Sequence, residues 1–293
     1  MKAQPHPTSV PLAFEHVAPP VPASRRALFL HGMLGGGGNL RTLARRFVDA
    51  RPGWDACLVD LRGHGASPKG SPDPSLFAAA ADVAALCAGS PPVVALVGHS
   101  FGGKVALQVA RHGFGPLVGR DHHVQTPLRH VVTLDTNPGV RPPPRTGDSA
   151  FAVIDMLTEL PAAFPSRAAF VDAVIARGHS RTLAGWLALS TAPSPSGGVR
   201  FALDLAELRM LLLSYFAEDL WPFVQAPPDP VHIHQVIAGR STSYSLDDRD
   251  RAAQIAAENP RVTVDTLPTD HWIHAEDPDG VLRILLARIP AAA

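Results

Sequence analysis

Short apolar runs alternate along the first half of the chain with stretches in which apolar residues recur at helical spacing. An unbroken short apolar run is typical of a strand buried on both faces, whereas recurrence every three or four positions is typical of an amphipathic helix. This alternation favours a mostly parallel, twisted sheet flanked by helices. Strands are predicted at residues 10–17 (antiparallel), 26–30, 57–60, 93–97 and 128–134, and helices at 40–49, 74–88 and directly after residue 100.

The alternation stops near residue 140 and resumes near residue 231. The residues between them show only helical patterns, bracketed by proline-rich segments at 142–144 and 222–230. A helical insertion inside an α/β chain is more naturally a cap over a site than an independent fold. Helices are predicted in the insertion at about 150–160, 167–177, 181–191 and 203–219, and after it strands at 231–238 and 261–266 and helices at 247–257 and 278–288.

These patterns divide the chain into three parts. Residues 1–25 are expected to form an N-terminal tail and the first strand, residues 26–139 and 231–293 the α/β core, and residues 140–230 an all-helical cap, or lid. The chain is long enough for this core to bury a sizeable apolar interior.

The predicted strand at 93–97 runs into Gly98-His99-Ser100-Phe101-Gly102, and a helical pattern follows at once. G-x-S-x-G between a strand and a helix is the nucleophile-elbow pattern, which exposes a serine hydroxyl on a sharp turn. Glycine is needed at positions 98 and 102 because a side chain there would clash where strand and helix approach. The alternative is a glycine-rich turn with an incidental serine. The context favours Ser100 as a nucleophile.

A serine hydroxyl needs a general base, usually a histidine held by a carboxylate. His271 lies in the loop after the last predicted strand, in the order serine, acid, histidine along the chain. His274 is the nearest rival, although the loop would have to extend to present it. The alternative for His271 is an ordinary surface-loop histidine.

The carboxylate that would hold the histidine could come from either of two regions. Asp135 directly follows the predicted strand at 128–134, at the edge of the sheet where sites form, although it could merely cap the turn that follows. Asp247 and Asp248 come after the later strand, but they also suit the first turn of a helix. Asp135 is favoured, with Asp247 and Asp248 as the alternative.

Two backbone N–H groups are predicted to form an oxyanion hole, those of Phe101 and Met33. The glycines at 35–38 would let the backbone near Met33 approach a ligand. No complete phosphate-binding motif surrounds these glycines. His122-His123, His232-x-His234 and His271-x-x-His274 complete no metal-ligand motif either, so neither metal nor cofactor is expected.

The chain has 26 basic and 26 acidic residues and no basic run, so no nucleic-acid or anionic-membrane partner is indicated. No apolar stretch approaches the roughly 20 residues of a membrane span, and the proline-rich start shows no signal peptide. A cytoplasmic location is expected. Cys57 and Cys87 lie in apolar segments, which favours buried free thiols over a disulfide.

Five stretches together resemble the α/β-hydrolases, and in particular their small esterase branch of bacteria, mitochondria and plastids. The branch carries its base in the loop that holds His271, and plant-type relatives have a similar segment at Asp135 and no matching later acid. One departure is Asp270, where a glycine usually precedes the histidine. The matching stretches are His31-Gly32-Met33-Leu34-Gly35 with Asn39, Asp60-Leu61-Arg62-Gly63-His64-Gly65-Ala66-Ser67, 98–104, 134–139 and 271–275.

The resemblance implies a serine hydrolase that cleaves esters or thioesters of small to medium acyl groups and needs no cofactor. Its partner would be a small-molecule substrate. A lactonase, a C–C bond hydrolase or lyase using the same residues, and a non-catalytic ligand-binding relative remain alternatives. Substrate contacts are expected from the early loop and from two tryptophans: His31, Gly32, Leu34, Trp186 and Trp272.

Overall fold

The computed structural model describes residues 9–69, 72–87, 90–113, 127–144 and 147–291. The pair His122-His123 and residues 1–8 of the predicted N-terminal tail lie outside these residues. Within them, no helix is both long enough and apolar enough to cross a lipid bilayer.

Seven strands form one sheet in the order β1-β3-β2-β4-β5-β8-β9. All neighbours are parallel except β1 and β3, which are antiparallel. The mostly parallel sheet predicted from the sequence is therefore confirmed. The strands are β1 (Phe14–Val17), β2 (Arg25–Leu30), β3 (Trp54–Val59), β4 (Val93–His99), β5 (His130–Leu134), β8 (His232–Ala238) and β9 (Val262–Leu267).

Helices cover both faces of this sheet. On one face α1 (Arg41–Ala50) and the last helix, Pro278–Arg288, bury their apolar side chains against the strands. On the other face lie α2 (Leu76–Leu86), α3 (Phe101–His112) and the helix Leu246–Glu258. Because helices cover both faces of the sheet, β4 is buried along its whole length, and its sequence is mostly apolar.

The strand β3 begins at Trp54, three residues earlier than the sequence predicts. The polar residue Asp55 hides this start, because it interrupts the apolar pattern. Its buried carboxylate is paired with Arg26 on β2 at 2.8 Å and with His16 on β1 at 2.8 Å. A carboxylate that is paired with side chains on both neighbouring strands can occupy a buried position where an apolar residue is expected.

Residues 140–230, hereafter the inserted segment, run from β5 to β8. They are not all helical as predicted, because a hairpin of two three-residue strands, β6 (Thr191–Pro193) and β7 (Val199–Phe201), lies among the helices. Strands this short leave no recognisable alternation in the sequence. The helices are Ala150–Thr158, Arg167–Ala176, Arg181–Leu187, Leu205–Ala217 and Trp221–Gln225, with a 3₁₀ turn at Ala188–Ser190.

The chain returns to the sheet at β8, which pairs with β5. Parallel strands bring their carboxyl ends to one edge, so the loops after β4, β5, β8 and β9 meet there. A short helix, Ile273–Glu276, follows the loop after β9. The predicted site residues lie in these loops and in the loop after β2.

Candidate active site

Ser100 sits between β4 and α3 with a positive φ of 51° and a ψ of −113°. Its N–H donates to the carbonyl of Leu134 at 3.0 Å, which anchors the turn to β5. A Cβ on Gly98 would overlap the carbonyl of Gly102, and a Cβ on Gly102 would overlap the carbonyl of Leu30. The close approach expected from the glycine spacing is therefore present, and it holds the Ser100 side chain at the edge of the sheet.

The Ser100 hydroxyl begins a chain of hydrogen bonds that ends on a carboxylate. Its Oγ lies 3.0 Å from His271 Nε2, and His271 Nδ1 lies 2.7 Å from Asp135 Oδ2. The carboxylate accepts the proton on Nδ1, which leaves the lone pair of Nε2 facing the serine hydroxyl. The structure thus brings together the three residues that the sequence favours, hereafter the Ser–His–Asp chain.

The carboxylate of Asp135 accepts hydrogen bonds from three donors. Oδ1 accepts from the N–H of Ala238 at 3.1 Å, and Oδ2 accepts from the Ser241 hydroxyl at 2.6 Å and from His271. Burial by itself raises the pKa of Asp135, but these hydrogen bonds and the histidine outweigh it and the pKa is lowered. The carboxyl group therefore stays ionised at neutral pH.

Two serines of the loop after β8 complete this network, although no sequence motif singles them out. Ser243 Oγ lies 3.1 Å from His271 Nδ1, and Ser241 Oγ lies 3.0 Å from Ser243 Oγ. Asp135 and Ser243 therefore both lie within hydrogen-bond distance of Nδ1, and Asp135 is the nearer. The one available signal is their position in a polar loop that follows β8, the strand next to β5.

The alternative acids lie elsewhere. Asp247 is exposed in the first turn of the helix Leu246–Glu258. Asp248 forms a capping box with Ser245, accepting from its N–H at 3.0 Å, and also accepts from the Asn137 side chain at 2.8 Å. Both residues therefore occupy the helix-start positions that the sequence left open for them.

His274 lies behind the Ser–His–Asp chain rather than in it. Its ring packs edge-on to His99, 4.5 Å between centroids, and His99 Nε2–H donates to the backbone carbonyl of His271 at 2.8 Å. Burial lowers the pKa of His274 to about 4. These two histidines support the loop that carries His271.

Two other histidines hold the loop that carries Met33. His31 Nε2 accepts from the N–H of Leu61 at 3.0 Å, and His64 Nε2 accepts from the N–H of Leu34 at 3.1 Å. Leu34 has a positive φ of 65°, so this loop is held in an unfavourable conformation. His64 had no predicted role, although the glycines on either side of it in the sequence marked a tight turn.

A cavity of about 490 Å³ opens above Ser100. The core contributes the loop after β2 and the elbow, including Met33 and Phe101, whose N–H groups were predicted to form the oxyanion hole. The inserted segment contributes a mostly apolar wall. His31 does not line this cavity, whereas the other four predicted substrate contacts, Gly32, Leu34, Trp186 and Trp272, do. The apolar and aromatic residues of this wall include Ala150, Val153, Leu183, Trp186, Leu212, Tyr215 and Phe216, and its polar residues are Arg141, Asp148 and Ser149.

Comparison with known proteins places this geometry in a family. Residues 27–284 match the family model described as the alpha/beta hydrolase family. The chain is a member of the alpha/beta hydrolase family.

Relatives of this hydrolase agree with that assignment. It is 28% identical over 270 residues to the mouse (Mus musculus) sn-1-specific diacylglycerol lipase ABHD11, covering 87% of this chain and 78% of the relative. A marine microorganism esterase superimposes with a TM-score of 0.76 at 19% identity, covering 96% of this chain and 100% of that one. A thioesterase domain from the curacin biosynthetic pathway gives 0.66 at 17% identity, covering 96% and 100%.

A buried lysine joins the core of the hydrolase to the inserted segment. Lys104 of α3 donates from Nζ to the carbonyls of Gly139 at 2.9 Å and Tyr215 at 2.7 Å. Burial lowers the pKa of Lys104 to about 7. Because Tyr215 lines the cavity, this lysine fixes the cavity wall to the helix that begins beneath Ser100.

No group of three or more His, Cys, Asp or Glu side chains in the described residues is arranged to hold a metal ion. Cys57 and Cys87 are buried and free, as their apolar surroundings predict. Burial raises the pKa of Cys57 to about 11 and that of Cys87 further, so neither is a thiolate near neutral pH.

The buried histidines should make the hydrolase sensitive to mild acid. Burial lowers the pKa of His31 to about 4 and that of His64 to about 3, against about 6.5 in an unfolded chain. A histidine whose pKa is lowered by folding contributes stability that is fully present above about pH 6.5. That stability is lost as the pH falls toward the pKa of the histidine in the folded protein. We expect the free energy of unfolding to fall steadily from pH 7 to pH 4.5.

Urea denaturation at intervals across this range measures the effect. His64→Gln removes one titrating group and should make the decline with pH shallower, whatever it does to stability at pH 7. A free energy of unfolding that stays constant between pH 7 and pH 4.5 would contradict the expectation.

Proposed function

We propose that this protein is a serine hydrolase that cleaves carboxylic esters or thioesters of small to medium acyl groups through an acyl-enzyme. The observation that carries the proposal is the Ser–His–Asp chain, in which Ser100 Oγ, His271 and Asp135 are joined at 3.0 and 2.7 Å beneath a cavity. An alcohol next to a histidine that is itself held by a carboxylate is the arrangement that activates a serine.

In the proposed acylation step, Ser100 Oγ attacks the acyl carbon and His271 Nε2 takes the hydroxyl proton. Asp135 stabilises the resulting imidazolium and keeps it oriented. The N–H groups of Met33 and Phe101 donate to the oxygen of the tetrahedral intermediate. The bond to the leaving oxygen or sulfur then breaks, and His271 returns the proton to the departing alcohol or thiol.

Deacylation follows the same path with water as the nucleophile. His271 takes a proton from water as the water oxygen attacks the acyl carbon of the ester on Ser100. The bond to Ser100 Oγ breaks and the serine recovers the proton from His271, so the carboxylic acid leaves and the enzyme is restored. No residue outside the Ser–His–Asp chain and the two N–H groups has to donate or accept a proton.

The inserted segment acts in this proposal as a cap that sets which acyl groups fit. A volume of about 490 Å³ lies in the range of small-molecule sites, and its wall is mostly apolar. The relatives support ester and thioester chemistry through their names, which are those of a lipase, an esterase and a thioesterase. The mouse relative favours a lipid ester, and chain-length measurements decide whether this cavity accepts one.

The first experiment measures hydrolysis of p-nitrophenyl acetate and p-nitrophenyl butyrate by the purified protein, together with labelling by a fluorophosphonate probe. We expect turnover of both esters and one probe molecule bound per chain. A folded protein with neither turnover nor labelling would instead be a ligand-binding relative. Turnover of lactones or C–C substrates far above that of these esters would favour the alternative reactions.

The cap is expected to set the preference for chain length. Leu212→Phe adds bulk to a side chain that lines the cavity and should lower the ratio of kcat/KM for the octanoate ester to that for the acetate ester by roughly tenfold. Leu213→Phe is the matched control, because Leu213 is the next residue on the same helix and is exposed. Equal losses across all chain lengths in Leu212→Phe would mean that the helix is only structural.

A further inference from the structure

Arg141, at the start of the inserted segment, lines the same cavity as Ser100 and His271. Its Nη1–H donates to the backbone carbonyl of Ser243 at 3.1 Å. The hydroxyl of Ser243 lies 3.1 Å from His271 Nδ1. Ser243 therefore connects the guanidinium to the histidine of the Ser–His–Asp chain, and both side chains line one cavity.

The guanidinium has donors that the protein does not use. Arginine offers five N–H donors, and the Nε–H of Arg141 is buried with no acceptor among the described residues. Its Cζ lies 5.1 Å from the ring centre of Phe216, so the aromatic side chain holds the planar group in place. A buried charged donor without an acceptor is unfavourable. Arg141 lines the cavity, so its other N–H groups remain for an oxygen of a ligand.

The other charged side chains that line the cavity have partners of their own. Asp148 Oδ1 lies 2.8 Å from His179 Nδ1, and Arg240 lies 2.9 Å from Glu276 and 3.5 Å from Asp270. In the part of the chain that the structure describes, no carboxylate forms an ion pair with Arg141. Arg141 is therefore a guanidinium that lines the cavity without a carboxylate partner among those residues.

We propose that Arg141 binds a carboxylate of the substrate, so that the preferred substrates are esters or thioesters carrying an acid group on a short acyl or alcohol chain. The inference rests on the proposed hydrolysis at Ser100. Arginine matches a carboxylate with two parallel N–H donors, and a partly desolvated pair of this kind is stronger than a neutral hydrogen bond. The apolar wall opposite would then accommodate the remainder of the substrate.

Two pairs of esters of equal shape separate charge from size. For the acyl side, p-nitrophenyl hemisuccinate is compared with p-nitrophenyl 4-methylpentanoate, in which an isopropyl group replaces the carboxylate. For the alcohol side, the butyrate ester of glycolate is compared with isobutyl butyrate in a pH-stat. We expect kcat/KM to favour the anionic member of at least one pair by roughly tenfold or more.

Variants assign the preference to the arginine. Arg141→Met keeps much of the length of the side chain but loses the charge, and should reduce the anionic-to-neutral ratio of kcat/KM by about 10–100-fold, chiefly through KM. Arg141→Lys should retain part of the ratio, because lysine keeps the positive charge but lacks the two parallel N–H donors of the guanidinium. Arg283→Met is the matched control and should leave the ratio within about threefold, since that arginine is exposed on the last helix and does not line the cavity.

A merely structural Arg141 would lower the rates for both members of a pair alike and leave their ratio unchanged, which would overturn the proposal. The wild-type protein gives an independent test if the variants fold poorly, because its preference for the anionic ester should shrink in 0.5 M NaCl. A wild type that hydrolyses the neutral esters and disfavours both anionic ones overturns the role of Arg141 alone. A wild type that hydrolyses none of the four overturns the proposed function itself.

Discussion

Replacing Ser100 by alanine is expected to lower kcat for p-nitrophenyl butyrate by about 10⁴-fold or more while leaving the fold intact. The hydroxyl is the group that would form the acyl-enzyme, and without it only the N–H donors and the cavity can stabilise the transition state. Fluorophosphonate labelling should disappear with the same change, because the probe reacts with the activated serine oxygen.

Two measurements make this result specific. Thermal unfolding shows whether Ser100→Ala is folded, and Ser196→Ala, which alters an exposed serine of the hairpin loop, should keep wild-type turnover and labelling. A folded Ser100→Ala protein that retained most of its turnover would refute the nucleophile assignment. Labelling that persisted in that variant would show that the probe modifies another residue.

Asp135→Asn is expected to lower kcat by about 10⁴-fold, the loss associated with a mis-set histidine tautomer in the well-studied serine-protease triad. Asp135 Oδ2 accepts the Nδ1 proton of His271 at 2.7 Å and so leaves Nε2 free to accept from Ser100. An asparagine amide can turn its NH₂ toward Nδ1, which moves the ring proton to Nε2 and away from its productive position.

Asp248→Asn is the matched control, because it makes the same chemical change at the alternative acid. Asp248 belongs to a helix capping box, so its loss should cost about 1 kcal/mol of stability or less and change turnover little. The reverse result, with Asp248→Asn inactive and Asp135→Asn active, would reassign the acid. Comparing kcat with the midpoint of thermal unfolding for both variants separates the two effects.

Local pattern was sufficient for much of the fold and for part of the candidate site. The buried run of β4 followed by glycine, serine and glycine can form few other structures, because strand and helix must approach closely there. Asp135 was open to prediction because it directly follows β5, a neighbour of β4. The last helix, Pro278–Arg288, agrees with its predicted bounds, since a proline begins it and its apolar spacing is regular.

Features that depend on contacts between distant loops were not open to prediction. Arg141 and Ser243 are 102 residues apart, and His64 reaches Leu34 across 30 residues. Nothing near Ser243 in the sequence signals that its hydroxyl faces His271. The hairpin of the inserted segment was missed for a different reason, because three-residue strands are set by tertiary packing and not by periodicity.

The positive φ angles at the site affect how the whole chain tolerates substitution. Among the described residues, the non-glycine positions with positive φ are Leu34, Ser100 and Asp135, and all three belong to the cavity or to the Ser–His–Asp chain. Such conformations cost roughly 1–3 kcal/mol each, against a typical net stability of about 5–15 kcal/mol for a protein. Packing in the distant sheet must hold them in place. Part of the stability supplied by the core is used to hold these strained residues, so less remains to tolerate substitutions. A core substitution that never touches the cavity can therefore still reduce the amount of active protein.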